Sequence, residues 1–142
     1  MIWKNKFDID SINNISKNTM VQHLGIKFTE VTDDYMCATM PVDHRTVQPM
    51  RLLHGGASVA LAETLGSVAS FACVDTDKYD VVGVEINANH LKAVKENNGL
   101  VKGKVTPVKI GRNLHVWQIV ITDSDDNIVC ISRLTTMVIS KK

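Results

Sequence analysis

The chain has 142 residues, of which 44% are hydrophobic and 22% charged, and its formal net charge at pH 7 is +1. This length and composition are typical of one soluble globular domain, spanning residues 1–142. A net charge so close to zero gives no electrostatic case for binding nucleic acid or a membrane surface. The 3 cysteines are widely spaced and none belongs to a C-x-x-C pair. They predict reduced thiols in a cytoplasmic protein.

The first third of the chain predicts a helix followed by a hairpin. Residues 8–19 place isoleucines three positions apart, which is typical of a short amphipathic helix. Residues 25–31 alternate as a strand. Residues 35–42 follow as a second strand after a Thr-Asp-Asp turn, so the two strands are expected to pair.

A long run of small and apolar residues, 57–73, follows. It contains no Pro, Lys or Arg, and Glu63 is its only charge. A surface helix would show a broad polar face, so the run predicts a helix buried on nearly all sides. Glu63 and Ser67 are four positions apart and therefore adjacent on a face of small residues, on which the helical projection also places Ser70. Two interpretations stay open: a structural ion pair with Ser67 bonded back into the helix, or a functional carboxylate that a ligand approaches.

His54, Gly55 and Gly56 stand at the predicted start of this helix. A helix N-terminus leaves backbone N–H groups unpaired and carries a partial positive charge. Glycine there lets a polarised oxygen come close. The tripeptide therefore predicts an oxyanion site with a titratable neighbour, and the alternative is a plain turn with an incidental histidine.

The rest of the chain predicts four strands, at residues 81–93, 100–110, 114–122 and 128–139, separated by turn signals. Together with the first hairpin they predict a six-stranded antiparallel sheet in an α+β fold. The long Ala-Gly-Ser-rich helix is the only segment of suitable length to cover one face of that sheet. Such a unit leaves sheet edges exposed, so dimerisation is expected.

The central stretch, Q-P-x-x-L-L-H-G-G-A-S-x-x-L-A-E-T-x-G-S, resembles the hot-dog-fold acyl-CoA thioesterases that use a helix glutamate. The later V-V-G-V-E-I-N-A-N-H and S-R-L-T-T resemble the same family, so the likeness covers nearly the whole chain. It is similar in particular to the bacterial subgroup that includes 1,4-dihydroxy-2-naphthoyl-CoA hydrolase of menaquinone synthesis. The resemblance implies a sheet of about six strands wrapped around one long central helix. It also implies a homodimer as the minimum unit, with a homotetramer built as a dimer of dimers.

Thioester hydrolysis needs an electrophilic pocket and a group that delivers water. A leaving thiol with a pKa of about 8.5 departs readily, so a carboxylate can act without a catalytic triad. Glu63 would be either the nucleophile or a general base, and the Gly55 N–H would polarise the carbonyl oxygen. The resemblance implies that Gln48 orients the thioester, that His54 lies near the carbonyl or sulfur, and that Ser67 holds water or Glu63.

The resemblance also implies a binding surface for coenzyme A. It places His90 at the CoA-binding edge, with Lys92, Gly111 and Arg112 near the nucleotide phosphates, where cationic side chains are chemically sensible. A solvated surface charge is an equally open interpretation of the lysine and the arginine. Val68 is a candidate for the acyl pocket. The remaining histidines lack metal-ligand spacing, so we expect no metal and no cofactor.

The leading hypothesis is hydrolysis of an aromatic acyl-CoA, such as 1,4-dihydroxy-2-naphthoyl-CoA, to the free acid and CoA. One alternative is a thioesterase for medium-chain fatty acyl-CoA. Others are a non-catalytic acyl-CoA-binding regulator and a hydratase, which would want a paired histidine and acid. A lone glutamate with His-Gly-Gly favours hydrolysis.

Helix geometry adds an expectation about assembly. Gly55 and Glu63 are separated by roughly 12 Å along a helix that rises about 1.5 Å per residue. One thioester carbonyl cannot contact both, but antiparallel central helices in a two-fold dimer remove the conflict. The expected site is therefore shared: Gln48, His54 and Gly55 from one chain, with Glu63 and Ser67 from its partner.

Overall fold

The computed structural model describes residues 1–142, which form six strands and three helices. In chain order these are α1 (Ile9–Ile15), α2 (Met20–His23), β1 (Lys27–Val31), β2 (Met36–Pro41), α3 (Gly55–Ala72), β3 (Tyr79–His90), β4 (Leu100–Ile110), β5 (Leu114–Thr122) and β6 (Ile128–Ser140). The strands form one antiparallel sheet in the order β1-β2-β4-β5-β6-β3. The predicted six-stranded sheet with one long helix, the hot-dog arrangement, is confirmed.

The core lies between α3 and one face of the sheet. Leu61 and Leu65 of the helix are fully buried, and they face a sheet whose buried side chains include Trp117 and Ile119 of β5. Strand β5 alternates buried and half-buried residues along its length, as a strand with one covered face should. Each fully buried leucine contributes roughly 1.5–3 kcal/mol of transfer free energy. This packing fixes the position of α3 relative to the sheet.

The predicted first helix is wrong in extent. Helix α1 ends at Ile15, and a second short helix, α2, begins only at Met20, because Asn18 between them adopts a left-handed backbone conformation with φ of 59°. Asparagine tolerates this region better than most residues. The Asp8 side chain caps α1 by accepting a hydrogen bond of 2.7 Å from the Ser11 N–H. Ile12 is fully buried, whereas Ile15 is 66% exposed.

The prediction that the central helix is buried on nearly all sides is also wrong in part. A strip that includes Glu63, Ser67 and Val68 is only half-buried. Ser70, which we placed on the same approachable face as Glu63, is instead fully buried. Its hydroxyl lies 2.6 Å from the Thr136 hydroxyl and accepts a 2.6 Å hydrogen bond from the Trp117 indole N–H. Neither partner is near Ser70 in sequence.

The two edges of the sheet differ. At β1, the Asn13 side chain pairs with both backbone groups of Phe28, donating to the carbonyl at 3.0 Å and accepting from the N–H at 2.9 Å. Strand β3 lies at the other edge, pairs only with β6, and exposes Val82 and Val84. An open edge of this length can pair with another chain. None of the helices is long and apolar enough to cross a membrane.

Candidate active site

The first half of the site is the N-terminus of α3. His54 is the N-cap residue, and its Nδ1 accepts a 2.8 Å hydrogen bond from the Gly56 N–H. An accepting Nδ1 leaves the proton of a neutral imidazole on Nε2. The Gly55 N–H donates to no other group of the chain. The predicted helix start at His-Gly-Gly is therefore confirmed. The Gly55 N–H is a backbone donor with no partner in the chain.

His90 lies directly beside this helix start. A methyl group added at Gly55 would stand 2.8 Å from His90 Nε2, so any side chain at position 55 would collide with the imidazole. This close approach explains the glycine. The register of β3 against β6 brings His90 here, near the end of the strand and on the side that faces α3.

A cavity of about 400 Å³ opens beside these residues. It brings together four of the predicted site residues, Gln48, Gly55, His90 and Lys92, with Leu52, Leu53, Ser58, Leu91, Ala93 and Val129 as further lining residues. The Gln48 side-chain oxygen accepts a hydrogen bond from the Met50 N–H. Its NH₂ group is the end left to donate to a ligand.

Lys92 is held at the cavity by Asp123, a residue that sequence reasoning missed. Their side chains form an ion pair, and Asp123 also accepts hydrogen bonds from the N–H groups of Asn127 and Asp125 at 2.9 and 3.0 Å. The hydrogen bond from Lys92 lowers the pKa of Asp123 to about 2, and the hydrogen bonds from Asn127 and Asp125 act in the same direction.

Ser58 is a second lining residue of this cavity that sequence reasoning missed. Its position one helical turn after Gly55 could have indicated it.

The second half of the site surrounds Glu63. This half-buried carboxylate forms no ion pair within the chain. A methyl group added at Gly83 of β3 would stand 2.6 Å from Glu63 Oε1, so the carboxylate lies close against the backbone of the edge strand. The structural ion pair that the sequence left open is therefore absent from the chain.

A groove of about 300 Å³ begins at Ser67, one helical turn beyond Glu63, and we call it the acyl groove because Val68, the candidate residue for the acyl pocket, lines it. Its lining residues are Phe7, Ile12, Ile15, Ser67, Val68, Phe71 and Val81. Ser67 is the only polar one. The Thr64 hydroxyl donates a hydrogen bond of 2.7 Å to the Ala60 carbonyl of the same helix. The Ser67 hydroxyl makes no such bond, so it is free to bind a ligand or water in the groove.

Gly111 and Arg112 lie elsewhere. They line a different cavity of about 500 Å³, at the end of the sheet where β3 begins, whereas Lys92 follows the end of β3. Within one chain the structure therefore does not bring these predicted nucleotide contacts together. His115 lines the same cavity; it is buried, its Nδ1 has no partner, and burial lowers its pKa.

Comparisons with known proteins agree with this geometry. Residues 50–130 match the family model of the thioesterase superfamily. The chain is 48% identical over 139 residues to 1,4-dihydroxy-2-naphthoyl-CoA hydrolase of Escherichia coli, covering 98% of this chain and 100% of the relative. It is 49% identical over 139 residues to the proofreading thioesterase EntH of Cronobacter sakazakii, covering 98% and 99%. A crystal structure of a mutant thioesterase from Pseudomonas aeruginosa superposes with a TM-score of 0.96 at 44% identity, covering 99% of this chain and 100% of that one.

The six-stranded sheet around one long helix is the hot-dog fold, and the thioesterases among the relatives identify the chain as a thioester hydrolase. The chain belongs to the thioesterase superfamily.

Proposed function

We propose that the protein hydrolyses an aromatic acyl-CoA, such as 1,4-dihydroxy-2-naphthoyl-CoA, to the free acid and coenzyme A. The observation that carries the proposal is the Glu63 carboxylate, which has no ionic partner in the chain and lies one helical turn from Ser67, a lining residue of the apolar groove. Burying a charge without a partner is costly, so such a group is favoured where it has chemistry to perform.

Each active site is formed by two chains. Within one chain His90 lies beside Gly55, and Gly83 lies beside Glu63. Antiparallel pairing of two β3 strands, about an axis midway between His90 and Gly83, would set His90 of one chain opposite Gly83 of the partner subunit. Gly55 of one chain then faces Glu63 of the partner subunit. The open β3 edge supports this pairing, and the blocked β1 edge directs association to it.

The Gly55 N–H donates a hydrogen bond to the carbonyl oxygen of the thioester and stabilises the negative charge that develops on that oxygen. In one route Glu63 removes a proton from water as the water oxygen bonds the carbonyl carbon. The intermediate then breaks its C–S bond, and the departing thiolate recovers the proton from Glu63. In the other route a Glu63 oxygen itself bonds the carbonyl carbon and expels the thiolate, and water then hydrolyses the mixed anhydride.

The remaining residues bind and orient the substrate. The Gln48 NH₂ group donates to the thioester, His54 fixes the helix start, and Ser67 holds water beside the carboxylate. Val68 and its neighbours in the acyl groove receive the acyl group. The groove is apolar and carries two phenylalanine rings, which favours a flat aromatic group.

Lys92 is the only lysine or arginine that lines the cavity at the helix start. It is the proposed contact for the phosphates of CoA, since its side chain is 45% exposed despite the ion pair with Asp123. Gly111 and Arg112 remain candidates for a contact that only the assembled oligomer would complete. The proposed assembly is a dimer, with a tetramer formed from two dimers. Leu114 and Met137 pair across β5 and β6, and both are exposed, which suits contact between dimers.

A kinetic panel tests the function. The protein is incubated with 1,4-dihydroxy-2-naphthoyl-CoA, benzoyl-CoA and octanoyl-CoA while free thiol is followed. We expect CoA release, with the highest kcat/KM for the bicyclic aromatic substrate. Preference for octanoyl-CoA would indicate a medium-chain thioesterase. Binding without release would indicate a regulator. Addition of water across the double bond of an enoyl-CoA included in the panel, with no thiol released, would indicate a hydratase. Either outcome would contradict the proposal.

A further inference from the structure

The acyl groove ends at Phe7, and a second cavity begins there. This second cavity, of about 500 Å³, we call the N-terminal cavity. Its lining residues are Met1, Trp3, Asn5, Lys6, Phe7, Val31, Thr32, Asp33 and Met36. Phe7 is the only residue that lines both spaces.

The chain around Phe7 is firmly attached to the C-terminal end of α3. The N–H groups of Lys4 and Asn5 donate to the Ala72 carbonyl at 2.8 and 3.2 Å, and the Asn5 side chain donates to the Val74 carbonyl at 2.7 Å. These bonds satisfy carbonyls that the end of a helix leaves without partners. The segment that carries Phe7 is therefore fixed relative to the groove.

The aromatic rings of the two phenylalanines close the groove. The Phe7 ring lies 6.0 Å from the Phe71 ring, with an interplanar angle of 35°. Behind Phe7, Trp3 stacks on Trp117 with ring centroids 6.2 Å apart. An acyl group that enters past Ser67 meets these rings before it can reach the N-terminal cavity.

We propose that Phe7 determines acyl length. Its side chain separates the acyl groove from the N-terminal cavity, and so restricts the enzyme to acyl groups that the groove alone can hold. Replacing it with a small residue joins the two spaces and admits long-chain acyl groups. The proposal rests on the proposed function, because it takes the groove to be the place where the acyl group binds.

The test compares Phe7→Ala with the wild-type protein on an aromatic acyl-CoA and on hexadecanoyl-CoA. We expect the ratio of kcat/KM values, long-chain over aromatic, to rise at least about 10-fold, because burying even two further methylene groups has an effect of that size. Phe7→Leu should give a smaller rise and serves as the variant with less effect on packing. Melting temperatures confirm that each variant is folded.

Two matched variants show whether the cause is the joining of the cavities. Val31→Ala enlarges only the N-terminal cavity and leaves Phe7 in place, so it should leave the ratio unchanged. Val31 lines only the N-terminal cavity, so Phe7→Ala combined with Val31→Phe should refill the opened space and cancel the gain.

A folded Phe7→Ala or Phe7→Leu protein with the wild-type ratio would overturn the proposal. So would an equal gain from Val31→Ala. These outcomes leave the proposed function standing, because the wild-type protein would still release CoA from the aromatic substrate. A wild-type protein that releases no CoA from any acyl-CoA would instead overturn the proposed function.

A binding measurement gives a readout besides turnover. In a Glu63→Gln background, hexadecanoyl-CoA should change the tryptophan fluorescence only when Phe7 is also replaced by alanine, because Trp3, which stacks on Trp117, lines the cavity that the change opens. An equal change with Phe7 in place would contradict the separation of the two spaces.

Discussion

The Glu63 carboxylate and Gly83 are in such close approach that a methyl group at Gly83 would stand 2.6 Å from Oε1. The carboxylate is the free end of a flexible side chain, so Gly83→Ala should displace it without a large loss of stability. Displacement of a reacting group by about 1 Å can lower turnover by about 10²-fold, and we expect kcat to fall at least about 10-fold.

The control for this prediction is Gly103→Ala. A methyl group there would stand 2.5 Å from Leu65 Cδ1, in the core and away from the carboxylate. It should lower the melting temperature and leave kcat per folded molecule near the wild-type value. If Gly83→Ala is folded and has wild-type kcat, the position assigned to Glu63 is wrong.

Glu63→Gln should lower kcat by at least about 10²-fold, the scale expected for loss of a nucleophile or base. The melting temperature should hardly change, because the carboxylate forms no ion pair in the chain. His54→Ala should have the smaller effect on kcat. A larger loss with His54→Ala than with Glu63→Gln would make the histidine the primary base.

The Lys92–Asp123 pair should make stability depend on acidic pH. Its hydrogen bond from Lys92 holds the pKa of Asp123 at about 2, below the ordinary value of 3.8. A carboxyl with a lowered pKa in the folded state stabilises the protein above its unfolded pKa, and this contribution is lost as pH falls from about 4 through about 2. Asp123→Asn should therefore flatten the fall in unfolding free energy over this range. Wild-type and variant curves that run parallel there would contradict the pairing.

The blocked edge of β1 can be tested through Asn13. Asn13→Ala removes two hydrogen bonds to the Phe28 backbone, each contributing about 1 kcal/mol, so the free energy of unfolding should fall by about 2 kcal/mol. The opened edge should also increase self-association in sedimentation experiments. Asn14→Ala, on the same helix but without bonds to β1, should change neither property. Equal behaviour of the two variants would remove the role given to Asn13.

Local patterns predicted most of the sheet, because hydrophobic alternation and turn residues act over a few positions. The bounds of β4 and β5 are those expected from their flanking turns. The first helix failed because a single backbone conformation at Asn18 ends a pattern that otherwise continues.

The placement of Gly55 at the start of α3 and of Glu63 within it could be predicted, because the sequence motif and helix geometry coincide there. Ser70 was misplaced because its partners, Trp117 and Thr136, come from distant strands. The Lys92–Asp123 pair has the same origin, since 31 positions separate its members. No periodicity within one element can reveal such contacts.

The proposal that each active site is shared between two chains is tested most directly by complementation. An inactive Glu63→Ala chain is mixed in equal amounts with an inactive chain altered at both Gln48 and His54, under conditions that exchange subunits. A mixed dimer then has one site with both lesions and one site with neither. Random exchange should restore about one quarter of wild-type activity, because half the dimers are mixed and each of those has one intact site of two. If subunit exchange is demonstrated and activity stays at the level of the separate variants, the site is not shared.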